Sequence, residues 1–418
     1  MQMAAAKNSR ANRTNPSDRD KDGKASRANG VQLRVIDLFC GVGGLSLGAA
    51  RAGFTVTAAV DNDRRAGEAH KANFPHCVHL SDDVARLSAK TLRDAAGLND
   101  STVIHGVVGG PPCQGFSRIG RRSPEDPRNS LFEHFFRLVA ELRPWFYVAE
   151  NVLGVLDEQF AEVRRNAFSH VADYHTLGPL RLKASDFGAA TSRERVFFIG
   201  TLPDHVMRVS ETAFHPPEDV VAVRVEVALR GLRKKIGADW QSDGQGWRHL
   251  TCRPEGRFWD KIFREVPDGV GDEEALRRLR EEDTVSGCLG TRHTPAVVER
   301  FADLEEGAVD GPSRAVRLAR SGFCPTLRSG TGPEHGSFQA LRPIHPTEPR
   351  VITPREAARL QGFPDWFVFH RTKWHSFRLI GNSVSPVLVE RVLRILKGAL
   401  RPDNCLPTTS GESDGKGK

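Results

Sequence analysis

The sequence predicts an α/β fold: a Rossmann-like, doubly wound domain that carries a smaller, mixed domain. Three observations predict it. From Leu33 to about Gly200, short apolar strands alternate with helical stretches, the pattern of a mostly parallel sheet covered on both faces. A Gly-rich turn, Gly41-Val42-Gly43-Gly44, follows the first of these strands directly. Beyond about Leu202 the alternation stops, Pro and Gly become frequent and charges cluster, until an apolar-periodic segment begins at Val384.

Residues 1 to about 30 are polar and basic with almost no large apolar side chains, the composition of a disordered tail. Val35-Ile36-Asp37-Leu38-Phe39-Cys40 then reads as a buried strand, and Leu45 to Arg51 as a helix. The glycines between them let a ligand approach the backbone at a helix N-terminus. The next strand, Thr55–Val60, ends in Asp61-Asn62-Asp63, where an acidic side chain is placed to accept from ribose hydroxyls. Asp82-Asp83, before Val84, offers a carboxylate to an adenine amino group. Gly41, Gly43 and Gly44 are too closely spaced for a dinucleotide fingerprint, and no Lys-Ser/Thr follows, which excludes a P-loop. An adenosine ligand with no phosphate to be held fits better. Val103–Val108 is the next strand, Leu131–Leu142 a helix and Trp145–Ala149 an apolar strand ending at Glu150; Arg195–Gly200 closes the block.

Within this block lies Gly109-Gly110-Pro111-Pro112-Cys113-Gln114-Gly115-Phe116-Ser117. Two prolines fix φ and flanking glycines admit close approaches, a way to hold a thiol rigidly at a pocket rim. A thiol is nucleophilic only as thiolate, so its surroundings decide its reactivity. Taken alone, the segment reads better as a structural cysteine in a turn; the rest of the chain reverses that. The run Gly115–Arg128 that follows contains Arg118, Arg121, Arg122 and Arg128 and is flexible in composition.

Between about Leu202 and Arg350, two basic clusters stand out: Arg230, Arg233, Lys234, Lys235, and Arg277, Arg278, Arg280. Either is equally an exposed helix face. Thr353–Pro364 is a capped helix: Thr353 caps, Pro354 opens the first turn, Glu356 closes a capping box and Gly362 stops it. Val384 to about Leu396 forms the last element. The boundaries expected are a tail at 1–30, an α/β domain at 31–203, a smaller mixed domain at 204–371, a final ordered segment at 372–400 and a loose tail at 401–418.

The composition narrows the function classes. A chain of 418 residues suggests two or three domains, and 39% apolar content is enough for a core. A net charge of +8 and a pI of about 9.3 suit a polyanionic partner. Seven cysteines without CxxC pairs argue against a disulfide framework or a zinc site, so no metal is expected and the compartment is read as reducing. No run of 18 apolar residues and no secretory h-region occur. A cytoplasmic, nucleoid-associated monomer is expected.

Taken together, Asp37–Gly44, Gly109–Ser117, Glu150-Asn151-Val152, Arg193-Glu194-Arg195 and Gly381-Asn382-Ser383-Val384 resemble the ordered motif set of the C5-cytosine DNA methyltransferases, from about residue 33 to residue 390. The resemblance implies S-adenosyl-L-methionine as methyl donor and a cytosine of duplex DNA as acceptor. It makes the segments at 31–203, 204–371 and 372–400 a catalytic and cofactor-binding domain, a target-recognition domain and a return to the catalytic domain. It makes Cys113 the nucleophile that adds to cytosine C6, activating C5 toward the methyl sulfonium. It makes Glu150 the group that protonates N3, and it places Arg193 and Arg195 against the base and its phosphate. It assigns the cofactor to Phe39, Gly41, Gly43, Gly44, Asp61, Asn62, Asp83, Val84, Pro112, Asn382, Ser383 and Val384. It assigns DNA contacts to Gln114, Ser117, Arg128 and Thr326, the last within a threonine-containing segment, Cys324–Gly332. The target base must leave the stack for such chemistry.

Two departures stand out. Thr191 occupies the place, two residues before Arg193, where the resemblance leads one to expect glutamine, and Asp61 stands where glutamate is usual. A restriction-modification methylase, with a cognate endonuclease acting separately, or an orphan methylase is the implied role. An RNA methyltransferase of the same fold and a non-catalytic DNA-binding relative remain as alternatives; the long recognition region argues against the first, and Cys113 with Glu150 against the second.

Overall fold

The structure is a computed structural model that describes residues 32–112, 116, 129–237, 244–329 and 342–401. Cys113, Gln114, Ser117 and Arg128 lie outside the described residues. Its centre is a seven-stranded sheet of β1 (Arg34–Leu38), β2 (Thr55–Val60), β3 (Val78–Leu80), β4 (Gly106–Gly109), β5 (Phe146–Asn151), β6 (His175–Lys183) and β7 (Glu194–Thr201), in the order β3-β2-β1-β4-β5-β7-β6. The first five run parallel; β7 is antiparallel to both β5 and β6.

Helices cover both faces, so the central strands are apolar on both sides and read as continuous runs rather than alternations. In β5, Phe146 and Val148 enter one core layer and Tyr147 and Ala149 the other. The second layer is filled by α4 (Ser130–Leu142), whose Phe132, Phe135, Phe136 and Val139 recur at the i, i+3, i+4, i+7 spacing of one helix face. The remaining helices of this block are α1 (Gly44–Arg51), α2 (Arg64–Asn73), α3 (Ala89–Ala95) and α5 (Ala161–Ser169). The edge strand β6 had no sequence-level counterpart: Gly178-Pro179 interrupts its apolar pattern, and the pairing with β7 shifts register between Leu177 and Leu180. A proline is tolerated there because an edge strand needs fewer ladder donors.

Residues 204–371 hold α6 (Val225–Leu229), a two-stranded ribbon of β8 (Arg248–His249) and β9 (Thr284–Val285), then α7 (Arg257–Phe263), α8 (Glu273–Glu282), α9 (Pro295–Asp303) and α10 (Pro354–Leu360). Helix α10 forms as its sequence dictates: the Thr353 side chain accepts from the Glu356 amide, Glu356 accepts from the Thr353 amide at 2.7 Å, and Gly362 takes φ +87° just past the end. Its two arginines anchor it structurally. Arg359 pairs with Asp365 and donates to the Arg230 carbonyl at 2.6 Å, and Arg355 donates to the carbonyls of Ser286, Pro364 and Phe367. The two basic clusters differ. Arg277 and Arg278 lie on α8, tied to Glu274 and Glu282 of the same helix, whereas Arg230–Lys235 falls in the turn after α6.

The chain then returns through α11 (Lys373–Asn382) and α12 (Pro386–Gly398). Helix α12 packs on α1 so closely that a Cβ at Gly48 would lie 2.4 Å from Val389 Cγ1. Among the described residues no helix is long and apolar enough to cross a membrane.

Candidate active site

The strand order makes the site. Strand β1 connects outward to β2 and β3 on one side and, through β4, to β5 on the other, so its border with β4 is a topological switch point, where loops at the carboxyl ends diverge and leave a crevice. Register lines up four chain exits there. Leu38 is level with Val60 and Gly109, and Gly109 with Ala149. Asp61, the Phe39–Gly43 turn, Gly110–Pro112 and Glu150 therefore emerge side by side.

The turn after β1 is built by backbone geometry. Phe39 takes φ +62°, Gly41 +54° and Gly43 +100°, a conformation costly for a side chain and tolerated where the surroundings impose it. Asp61 holds the turn, its Oδ2 accepting from the Gly41 amide and its Oδ1 from the Asp63 amide, both at 2.8 Å. A Cβ on Gly44 would lie 2.2 Å from Ser383 Oγ and 2.5 Å from the Val384 carbonyl oxygen, so this turn and the C-terminal Asn382-Ser383-Val384 segment are in contact. Below the turn, Asp37 is fully buried; Ser46 Oγ donates to its Oδ2 at 2.6 Å, and its Oδ1 has no hydrogen-bond partner among the described residues. Burial pushes its carboxyl up to about 7, against the Ser46 hydrogen bond. Burial also raises Asp61. The crowded Gly43 and Gly44 positions and Asp61 beside them suit a ligand that lies close against the backbone, such as S-adenosyl-L-methionine. Of the other residues expected there, Val84 is buried, and Asp83 Oδ1 accepts from the Ala85 amide at 3.0 Å. Asn382 presents its carbonyl to Arg193.

Glu150 is the penultimate residue of β5 and is buried. Arg195 Nε lies 2.9 Å from its Oε1. Desolvation raises the Glu150 carboxyl, and Arg195 and then Arg193 pull it back without cancelling the rise. Its Oε2 faces Gly110, where an added Cβ would lie 3.1 Å away. Asn151 donates from Nδ2 to the Pro111 carbonyl at 3.3 Å, while its Oδ1 accepts from the Val152 amide. The carboxylate strand and the Pro-Pro turn that leads into Cys113 are thereby tied to each other.

Arg193 and Arg195 do not behave as an equivalent pair. Arg195 reaches Glu150, but Arg193 is buried and donates to the carbonyls of Leu327, at 3.4 Å, and Asn382, at 3.2 Å. Thr191 is also buried; its hydroxyl donates to the Cys324 carbonyl at 3.0 Å, and the Ser192 amide donates to the same oxygen at 2.9 Å. The segment entering β7 therefore holds the carbonyls of Cys324 and Leu327, which flank Thr326 in the sequence. Gln361, buried at the end of α10, completes the frame by donating to the Ile380 carbonyl and accepting from Ser385 Oγ. Sequence reasoning passed over Asn151, Cys324 and Gln361 as site-building residues: their roles run through backbone carbonyls, which leave no pattern in side-chain types.

The chain matches the family described as C-5 cytosine-specific DNA methylase over residues 33–398. It is 39% identical over 376 residues to the type II methyltransferase M.XorII of Xanthomonas oryzae pv. oryzae, covering 88% of this chain and 85% of that one. It is 29% identical to the type II methyltransferase M.DdeI of Desulfomicrobium norvegicum, covering 86% and 87%. Among solved structures it resembles a protein described as a DNA modification methyltransferase encoded within an E. coli prophage, with a TM-score of 0.79 and 48% identity over 88% of this chain and 99% of that one. The S. pombe Dnmt2 methyltransferase shares the fold at a TM-score of 0.57 and 18% identity, covering 88% and 99%.

Proposed function

Because the chain belongs to the C-5 cytosine-specific DNA methylase family, we propose that it transfers a methyl group from S-adenosyl-L-methionine to C5 of a flipped cytosine in a specific duplex sequence, with Cys113 as nucleophile. The observation that carries the reading is the adjacency of Glu150 and the Gly110–Pro112 turn, joined through Asn151. Cys113 is the residue that follows this turn in the sequence.

Each residue then has a chemical duty. The Cys113 thiolate attacks C6 while Glu150 supplies a proton to N3, so that negative charge does not build up on the ring. A carboxyl raised by burial retains that proton to higher pH than an exposed one. Arg195 fixes Glu150 through its Oε1 and leaves Oε2 toward the turn. Arg193 is a positioning residue that joins β7 to residues 327 and 382. When bound, S-adenosyl-L-methionine supplies an electrophilic methyl on a sulfonium. Phe39, Gly41, Gly43, Gly44, Asp61, Asn62, Asp83, Val84, Pro112, Asn382, Ser383 and Val384 would hold it, Asp61 taking the ribose hydroxyls. Gln114, Ser117, Arg128 and Thr326 would meet DNA. The type II names of the relatives support a place in restriction-modification; a monomer acting in the cytoplasm beside a separate cognate endonuclease is the form this reading takes.

DNA made with 5-fluorocytosine at every cytosine tests this without knowledge of the site. Fluorine at C5 blocks the final elimination, so a covalent complex resistant to denaturant should accumulate in the presence of cofactor. Trapping by Cys113→Ala at the rate of the unmodified chain would assign the attack to another residue.

A further inference from the structure

The last turn of α2 lies between the cofactor turn and the 204–371 region, and it is fixed to both. On the cofactor side, a Cβ on Gly43 would lie 2.6 Å from Phe74 Cε2 and 3.0 Å from His70 Cδ2. The two rings stack with centroids 4.4 Å apart. His70 is held at both nitrogens, by Ser46 Oγ of α1 at 2.9 Å and by His79 of β3 at 2.8 Å. The start of α2 is tied to the same turn: Asp61 accepts from the Gly41 amide on one oxygen and from the amide of Asp63, the N-cap of the helix, on the other.

On the other side the contact is made by Asn73, which is fully buried. Its Oδ1 accepts from the Val368 amide and its Nδ2 donates to the Val368 carbonyl, both at 2.9 Å. Nδ2 also donates to the Ala69 carbonyl one turn back, at 2.8 Å. The Asn73 carbonyl accepts from the Gly271 amide at 2.6 Å. Next in the chain, the Phe74 ring meets Phe367 edge-on, with centroids 6.2 Å apart. A carboxamide carries a donor and an acceptor on one short side chain, so it can pair both backbone groups of a single residue. Phe74 and Asn73 thus join Gly43 to residues 271, 367 and 368 across one helical turn.

We propose, resting on the reading above in which the cofactor lies on the Gly41–Gly44 turn and the 204–371 region meets DNA, that this turn of α2 couples the two binding events, with Asn73 as the positioning residue that carries the coupling. A ligand seated on the cofactor turn fixes Gly43. Close-packed interiors are barely compressible, so Phe74 and His70 follow Gly43 rather than absorb its shifts. Asn73 and Phe74 pass the constraint to the backbone at 367–368 and at 271. Each ligand therefore fixes an arrangement that the other needs, and the second to arrive has less ordering to do. Linkage makes the effect reciprocal: the factor by which duplex tightens the cofactor equals the factor by which cofactor tightens the duplex.

The test uses the full-length chain, S-adenosyl-L-homocysteine as a cofactor that cannot react, and a duplex carrying the methylated sequence, found first by bisulfite sequencing of host DNA. Calorimetry gives the cofactor dissociation constant with and without the duplex. The unmodified chain should bind the cofactor at least about fivefold more tightly with duplex present, the lower end of the usual range for coupled sites. Asn73→Ser should bring that ratio close to one. A serine hydroxyl can still bond the carbonyl four residues back, but it is too short to reach Val368, so the helix is kept while the joint is cut. A residue that only supports the fold would lower the melting temperature and leave the ratio as it was. Should Asn73→Ser fail to fold, Phe367→Leu, which removes the ring contact across the same joint, decides by the same ratio. A ratio of one in the unmodified chain, or an unchanged ratio in the folded variant, overturns the proposal. Host DNA without methylated cytosine would instead overturn the methyltransferase reading, and the coupling with it.

Discussion

At the scale of single residues, Glu150 and Thr191 give the sharpest expectations. Glu150→Gln keeps the shape and removes the transferable proton. Its single-turnover rate should fall by about 10²–10⁴-fold, the usual worth of general acid catalysis, while the cofactor dissociation constant stays close to that of the unmodified chain. A loss confined to cofactor affinity would remove Glu150 from the chemistry. Thr191→Ala deletes one hydroxyl that donates to the Cys324 carbonyl, an oxygen still served by the Ser192 amide. That should cost about 0.5–1.5 kcal/mol of stability and leave turnover largely intact. Arg193→Ala instead strips donors from two carbonyls, those of Leu327 and Asn382, and loosens the junction of three segments. Single-turnover rates on one duplex should rank Arg193→Ala as much the more damaging change. Equal damage would give Thr191 a duty in the reaction beyond its hydrogen bond.

At the scale of elements, the contact between the β1–α1 turn and the start of α12 is the joint on which the cofactor cradle depends. Gly44 is where it is tightest. A methyl group there meets Ser383 Oγ at 2.2 Å and the Val384 carbonyl at 2.5 Å, and the second contact is with backbone, which cannot rotate away. Gly44→Ala should therefore cost about 1–3 kcal/mol of stability, as overpacking does. Calorimetry should show weaker S-adenosyl-L-methionine binding as well. Unchanged melting temperature and affinity would mean that α12 does not lie against this turn. The helices themselves follow from local signals: the Thr353–Glu356 capping box and the phenylalanine stripe of α4 were both legible in the chain. Strand β6 was not, because its only local signal is broken by Gly178-Pro179 and its pairing with β7 is a tertiary event.

At the scale of the whole molecule, the 204–345 region should carry the choice of DNA sequence, since it is built on a separate set of helices and a ribbon and reaches the site through residues 324–327. Contacts to bases specify and contacts to phosphates position. Moving this region into a related methyltransferase should move the methylated sequence with it, read by bisulfite sequencing of host DNA. A chimera that retains its host's sequence would place recognition elsewhere. The Arg277–Arg278 pair is a poor candidate for such contacts, because each guanidinium is already engaged by glutamates of its own helix.

The sequence alone determined the motif set and the central strands of the sheet. Strand identity, the Gly-rich turn, the Pro-Pro-Cys segment and the Glu-Asn-Val strand end are local, and each follows from residue types over a few positions. Only the tertiary structure decided how those pieces are held. Arg193 donates to carbonyls 134 and 189 positions away, contacts that no local pattern announces. Asp61 holds the Gly41 amide, Asn151 ties the Pro111 carbonyl, and Asp37, Ser46, His70 and His79 form one buried chain. The physical reason is common to all of them. A backbone carbonyl or a buried hydrogen-bond partner is the same atom whatever the residue, and which one a side chain meets is settled by the packing of segments far apart in the chain.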